Sequence, residues 1–396
     1  MNEAIERLHQ VLWSTRVDEH GLLRDFVGEL PTPEDCRLGR PNGIGWWSPI
    51  ENGPMFTGLY LPAMCERARR SGSEADRAAC WRLAQGLLLC ASVSDVPGFI
   101  ARGVGTDGRC HYGLGSDDQT HPWFLGLHAY WASGLATEEQ RRQVAAKLVE
   151  VGAALEAHGW RCPADGPYRG QFRGGYRGHL HRDAARYLHL LRLLHAVTGE
   201  DVWLDRYHRA AAELPDGADC SRTAICAEGY PRDRQAIAHI DDWQLWIYVG
   251  TQAALADLLR WETTASLREA FGAGLRVNAE QARPAIEGWR QFDNADQQAF
   301  GHADWRAGYP HWFAQPTQAD AERLAGMGDA ARLGGRKAYE CGRMRNPLAA
   351  CAMVALAGQA TDLARITAAI EHYDYGRVAM SEMFLAEVAW YAMQTA

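Results

Sequence analysis

SDDQTHPWFLGLHAYWASGLATEEQRRQVAAKLVEVGAALEAH, residues 116–158, decides the fold. Helical periodicity over 118–133 is apolar and aromatic around most of the circumference; GLATE at 134–138 interrupts it, and periodicity resumes over 137–158 with charges along one side. Two helices joined by so short a turn lie antiparallel, so the stretch is one helical hairpin. The first helix opens on Asp117 and Asp118 behind Ser116, where Ser116 is expected to cap it and the acids to complement its dipole.

The same unit recurs. The spacing predicts helices at about 2–14, 54–70, 74–92, 118–133, 137–158, 179–198, 201–213, 241–260, 264–282, 346–358, 361–372 and 381–394, with little strand-like alternation. Short linkers RSGSE (70–74), GLATE, TGED (198–201), RWETTA (260–265) and AGQAT (357–361) join them in pairs, and the first and last helices are left to pair with each other. Long segments rich in Gly, Trp, Arg and Asp make the other connections and fall at one end. The expected architecture is all-α: one (α/α)6 toroid domain over 1–396, six hairpins whose inner helices line a pit. The loop-rich insertion at about 283–345, with some helix near 318–327, covers that pit.

Charge and composition narrow the partners. A formal net charge of -8 argues against nucleic-acid or membrane-surface binding, which a basic excess serves. The start, MNEAIERLHQVLW, lacks the pattern of a signal peptide, and no run reaches the roughly 18 apolar residues of a membrane span. Ten cysteines are scattered singly without a CxxC pair, which fits reduced core thiols and a cytoplasmic location. Fifteen tryptophans and fourteen tyrosines supply flat faces on which sugar rings stack.

With hairpin number and aromatic content together, WWSPIENGPMFTGLYL at 46–61, SDVPGFIARGV at 94–104 and SDDQTHPWFLGL at 116–127, each joining a loop to a hairpin helix, the chain resembles the six-hairpin glycosidase-like superfamily. The resemblance implies the (α/α)6 fold and a saccharide substrate, with activities ranging over hydrolysis, elimination and epimerisation.

Residues where long loops enter inner helices are the candidates for chemistry: Glu51 and Asn52; Asp117, Asp118 and His121; Tyr176, His179, His181 and Asp183; Asp241, Asp242 and Trp243; Arg345 and Asn346; Tyr375 and Glu382. Glycoside hydrolysis needs two carboxyl groups, one to protonate the leaving oxygen and one to attack or to activate water. Adjacent residues on a helix point about 100° apart, so one acid of Asp117/Asp118 and one of Asp241/Asp242 are expected to face the pit, with Glu51 as a third candidate. Trp46, Trp47, Trp123 and Trp243 are expected as stacking platforms, Arg102 and Arg177 as groups that orient the ring, and His121, Tyr176, His179 and His181 as further contacts.

The segment RCPADGPYRGQFRGGYRGHLHRD, 161–183, interleaves arginines with aromatics and suits an anionic ligand such as a uronic acid, since guanidinium binds carboxylate through two hydrogen bonds. His179 and His181 point about 200° apart on a helix and have no third ligand at a metal-site spacing, so neither metal nor cofactor is expected. A lyase would use a His or Tyr base beside Arg, with His302, Tyr309 and His311 as further candidates. A sugar epimerase, or a saccharide-binding protein without catalysis, would fit the same toroid. An isoprenoid cyclase is disfavoured, because SDDQTH and IDDWQL do not complete a DDxxD.

Overall fold

A computed structural model describes residues 2–236, 244–307, 311–332, 335–358 and 362–395. The helices in chain order are α1 Glu3–Val11, α2 Pro33–Leu38, α3 Gly53–Ser71, α4 Glu74–Cys90, α5 Asp117–Ala132, α6 Glu138–Ala157, α7 His181–Thr198, α8 Asp201–Ala212, α9 Arg222–Glu228, α10 Pro231–Ala236, α11 Val249–Trp261, α12 Ala265–Ala282, α13 Gln318–Arg332, α14 Gly335–Glu340, α15 Asn346–Leu356, α16 Leu363–His372 and α17 Leu385–Thr395. The described strands are β1 Arg161–Pro163 and β2 Phe172–Gly175, an antiparallel pair with Pro163 opposite Phe172. The fold is mainly α, as the periodicity indicates.

Two kinds of helix alternate. Every residue of α15 from Asn346 to Ala355 is buried, and α3 is buried over most of its length, so these helices are surrounded by protein. In α6 the buried residues are Val144, Leu148, Val151, Gly152 and Leu155, a single stripe at helical spacing whose opposite face is charged. Local signals set the ends of the striped helices: Thr137 and Gln140 form a reciprocal capping box at the start of α6, and Ser73 caps α4. Gly199, at φ +70°, ends α7 in the left-handed region and turns the chain into α8.

Packing follows the hairpins. α3 lies on α4, α5 on α6, α7 on α8, α11 on α12 and α15 on α16, while α1 lies on α17. Among the largely buried helices, α3 touches α5 and α17, α7 touches α5 and α11, and α15 touches α11 and α17. α3 and α5 approach closely: a Cβ on Gly58 would overlap the Pro122 carbonyl and one on Gly126 would come within 2.7 Å of the Gly58 Cα. One apolar cluster runs from Ala4 through Trp123 to Tyr391.

The chain's two ends are fastened together. Arg67 in α3 pairs with Glu6 in α1 at 2.7 Å, Asn2 donates to Glu371 at 2.7 Å, and Arg16 donates to the Val378 carbonyl at 2.7 Å. The long segment before α15 packs on the segment before α3: Trp305 donates to the Glu29 carbonyl at 2.9 Å, and Gln315 bridges to Gly43.

Boundaries differ from expectation where the chain tightens or loosens its turn. Leu12–Arg16 widens into a π turn after α1, and 3-10 turns at Leu245–Tyr248 and Ser381–Phe384 precede α11 and α17. The short α2, α9, α10 and α14 lie in segments expected to be loops; each is too short for periodicity to register.

Candidate active site

The starts of the largely buried helices are tied to one another. Gln119 of α5 bonds Asn52 at 3.0 Å and the Met55 N–H at 3.2 Å at the start of α3, while Arg186 of α7 donates to the Ile247 carbonyl ahead of α11 at 3.0 Å. The Leu245 N–H reaches Asn346 of α15 at 3.4 Å, Arg345 reaches Glu382 ahead of α17 at 3.4 Å, and the Ser381 N–H returns to the Asp25 carbonyl at 3.0 Å. Residues entering these helices therefore gather at one end.

At the start of α5, Ser116 does not act as a side-chain cap. Its hydroxyl accepts from Arg102 at 3.1 Å. Arg186, 1% exposed, serves both following acids through one nitrogen, at 3.2 Å from Asp117 Oδ2 and 2.8 Å from Asp118 Oδ1. Burial and the neighbouring Asp118 charge push the Asp117 carboxyl up, and β2 closes over it, since a Cβ on Gly174 would overlap Asp117 Oδ1. Burial opposes ionisation of Asp118 as well, but Arg186 and Arg182 outweigh it and hold that carboxyl at about 2. Its side chain nevertheless keeps 33% of its surface accessible. Asp118 is thus the member of the pair that reaches water, while the Asp117 side chain is only 13% exposed.

Asp183 lies one helix away. Burial, then the Asp117 charge, raises its carboxyl to about 7. Arg182 approaches it no closer than 4.0 Å and makes no side-chain hydrogen bond among the described residues, so a guanidinium beside Asp118 is left without a close acceptor. The helix is held from behind by Asp233, which accepts the His181 N–H at 2.6 Å and the Tyr248 hydroxyl at 3.1 Å.

A second group of charges lies beyond Arg102, which donates to the Leu114 and Glu51 carbonyls at 3.0 Å each and so joins the two groups. Glu51 accepts the Trp47 N–H at 2.8 Å, holding Trp47 at φ +71°, a conformation unusual for a side chain of this size. Asp25 accepts two bonds from Asn52, yet burial and the charges of Glu51 and Glu382 push it well above the ordinary range. Burial also raises Glu382, against the pull of Arg345. The Lys337 ammonium sits 3.9 Å above the Trp47 ring, and Arg345 lies 4.8 Å from the Trp246 ring.

The other expected site residues fall into three sets. Trp46 is half-buried, with Arg173 at 5.3 Å from its ring, and so keeps part of its indole accessible. Trp123 does not: it is 0% exposed, its indole donates to the Leu87 carbonyl of α4 at 2.6 Å, and no sugar can stack on it. His121 and Tyr176 are likewise fully buried, with the Tyr176 hydroxyl donating to the Asp117 carbonyl at 3.2 Å. Arg177 turns outward to Glu213 at 2.7 Å, His179 lies against Gly217, and both ring nitrogens of His181 are occupied, by the Ile225 carbonyl and Asn278. Asp241, Asp242, Trp243 and Tyr309 lie outside the described residues.

Sequence reasoning missed Arg186, Asp25, Lys337 and Trp246. The one signal for any of them was Arg186 itself, a charge set among the apolar residues of AARYLHLL. Among the described residues, no three His, Cys, Asp or Glu side chains converge as metal ligands, and no helix is long and apolar enough to cross a membrane. No match to this chain is found among protein-family models, curated proteins or solved structures, so the reading of the site rests on its own geometry.

Proposed function

We propose that the chain is a single (α/α)6 toroid that hydrolyses a glycosidic bond in a saccharide, uronate-containing saccharides included. Following neighbours from α3 through α5, α7, α11, α15 and α17 leads back to α3, with a striped helix outside each, which supports the toroid reading. In that toroid the gathered helix starts line its pit.

The observation that carries the reaction is the divergence of two carboxyl groups at the starts of the neighbouring helices α5 and α7, Asp118 at about 2 and Asp183 at about 7. Environments that separate two acids in this way give one ionised and one protonated partner at neutral pH. Asp118 stabilises the oxocarbenium-like transition state, and Asp183 protonates the leaving oxygen. Trp46 and Trp246 offer aromatic faces at the rim, and Arg182 offers its unclaimed guanidinium to a sugar carboxylate. Tyr176 and His181, two of the bases a lyase would use, already have their polar atoms engaged inside the protein.

The test is incubation with a panel of neutral and uronide oligosaccharides, read by released reducing ends and by ultraviolet absorbance. Reducing ends without an absorbance rise are expected, and Asp118→Asn or Asp183→Asn should abolish them. An absorbance rise identifies a lyase, an altered sugar with no new ends an epimerase, and binding without change a carbohydrate-binding protein; each rejects the hydrolase.

A further inference from the structure

Behind the pit, α5, α7 and α11 contribute a chain of buried polar groups that neither acid uses. Asp257 Oδ2 lies 3.3 Å from His189 Nε2, and His189 Nδ1 lies 3.2 Å from His121 Nε2. His121 follows Asp118 by three residues on α5, so the two share a face about one turn apart. The ring protons follow from the network. A carboxylate accepts, so His189 Nε2 carries hydrogen; neutral His189 then presents a bare Nδ1, and His121 fills it with Nε2–H. His121 Nδ1 is left bare, fully buried and without a partner.

An orphaned acceptor at such depth calls for an occupant. Arg186 Nε and Thr251 Oγ1 are also buried without partners, on the two helices that His121 touches. Gly250 of α11 packs beside the ring: a Cβ there would lie 3.8 Å from His121 Nδ1, at van der Waals contact. A buried water needs two to four polar partners, and a donor such as Arg186 Nε or Thr251 Oγ1 is the kind of group that complements a bare imidazole nitrogen.

We propose that Asp257, His189 and His121 form a proton relay, and that His121 Nδ1 accepts the proton of a water molecule held on the floor of the pit. The inference rests on the hydrolase reading. In the step, a water O–H bond breaks and its proton goes to His121 Nδ1, while the His121 Nε2 proton passes to His189 Nδ1. Hydroxide remains at the floor, one proton has moved, and no electrons are exchanged. His189 is a fitting destination, because its cation would lie between the Asp257 carboxylate and the face of Trp261, stacked at 5.3 Å. His121 is a conduit only: burial, then His189 and the Arg186 charge, hold its pKa well below the ordinary value. The other charged or titratable groups facing the relay are His128 from α5 and Arg260 from α11, the latter 2.8 Å from Asp257. Asp118, held at about 2, is too weak a base to take this proton itself.

The experiment is nuclear magnetic resonance of the full chain with 15N-labelled histidine, between pH 5 and 8. His121 should stay neutral, bare at Nδ1 and protonated at Nε2, and Asp257→Asn should release His189 from its fixed tautomer. A proton on His121 Nδ1, or titration of His121 near pH 6.5, overturns the relay whatever the protein does to sugars. With a substrate in hand, His121→Asn should lower kcat about 100-fold or more at little change in KM, and an unchanged kcat also rejects the relay. The expected tautomers without any glycoside turnover reject the hydrolase reading alone.

Discussion

Asp118 and Asp183 have opposite responses to pH. A folded-state pKa near 7 for Asp183 exceeds the value of about 3.9 in an unfolded chain, so its protonated form favours folding; that contribution is complete below about pH 4 and lost as pH rises through 7. Asp183→Asn should therefore match the wild type in urea unfolding at pH 4 and be more stable at pH 8. Asp118, depressed to about 2, contributes above about pH 4 and loses that contribution as pH falls through 2. Arg186→Met removes the counterion of both acids, and equilibrium unfolding at pH 7 should register a loss of about 2–3 kcal/mol; the figure lies below that for a fully buried pair because Asp118 is partly open to water. The acid doublet and its helix start were legible as a sequence pattern. That Trp123 faces α4 was not, because which side of an all-apolar helix turns inward depends on neighbours far along the chain.

Helix existence was readable in the sequence, and helix contact was not. The periodic segments reappear as helices, most of them within a few residues, since each carries its own stripe and its own Ser, Thr or Gly punctuation. The closeness of α3 and α5 depends on Gly58 and Gly126 meeting across the interface, while Pro62 and Pro122 stand four residues away from them within GLYLP and PWFLG. Proline removes the N–H that would bind the carbonyl four residues before it, so the Gly58 carbonyl is free of its helical partner where Gly126 arrives. Gly58→Ala should force the helices apart at a cost of about 3 kcal/mol by denaturant unfolding. Gly326→Ala, in α13 with nothing within 4 Å, is the control and should stabilise by about 0.5–1 kcal/mol.

For the molecule as a whole, the fastening of α1 over α17 and α3 is the contact that pattern reading only inferred, by leaving the first and last helices to pair. Arg67 is nearly buried and reaches Glu6 and Asp76 together, so Arg67→Met should loosen this seam selectively. Amide hydrogen exchange should quicken in α1 and α17 while α5 keeps its protection; uniform quickening would assign Arg67 to the general core instead. The same seam sets a timetable. Its contacts join residues 369, 378 and 362 positions apart, Asn2 to Glu371, His9 to Glu387 and Arg16 to Val378. Contacts so distant form late in folding, and on a ribosome none can form until the far partner has emerged. α1 is thus made long before it can be seated, and until residues 378 positions further on have been added its apolar face waits for a partner that does not yet exist.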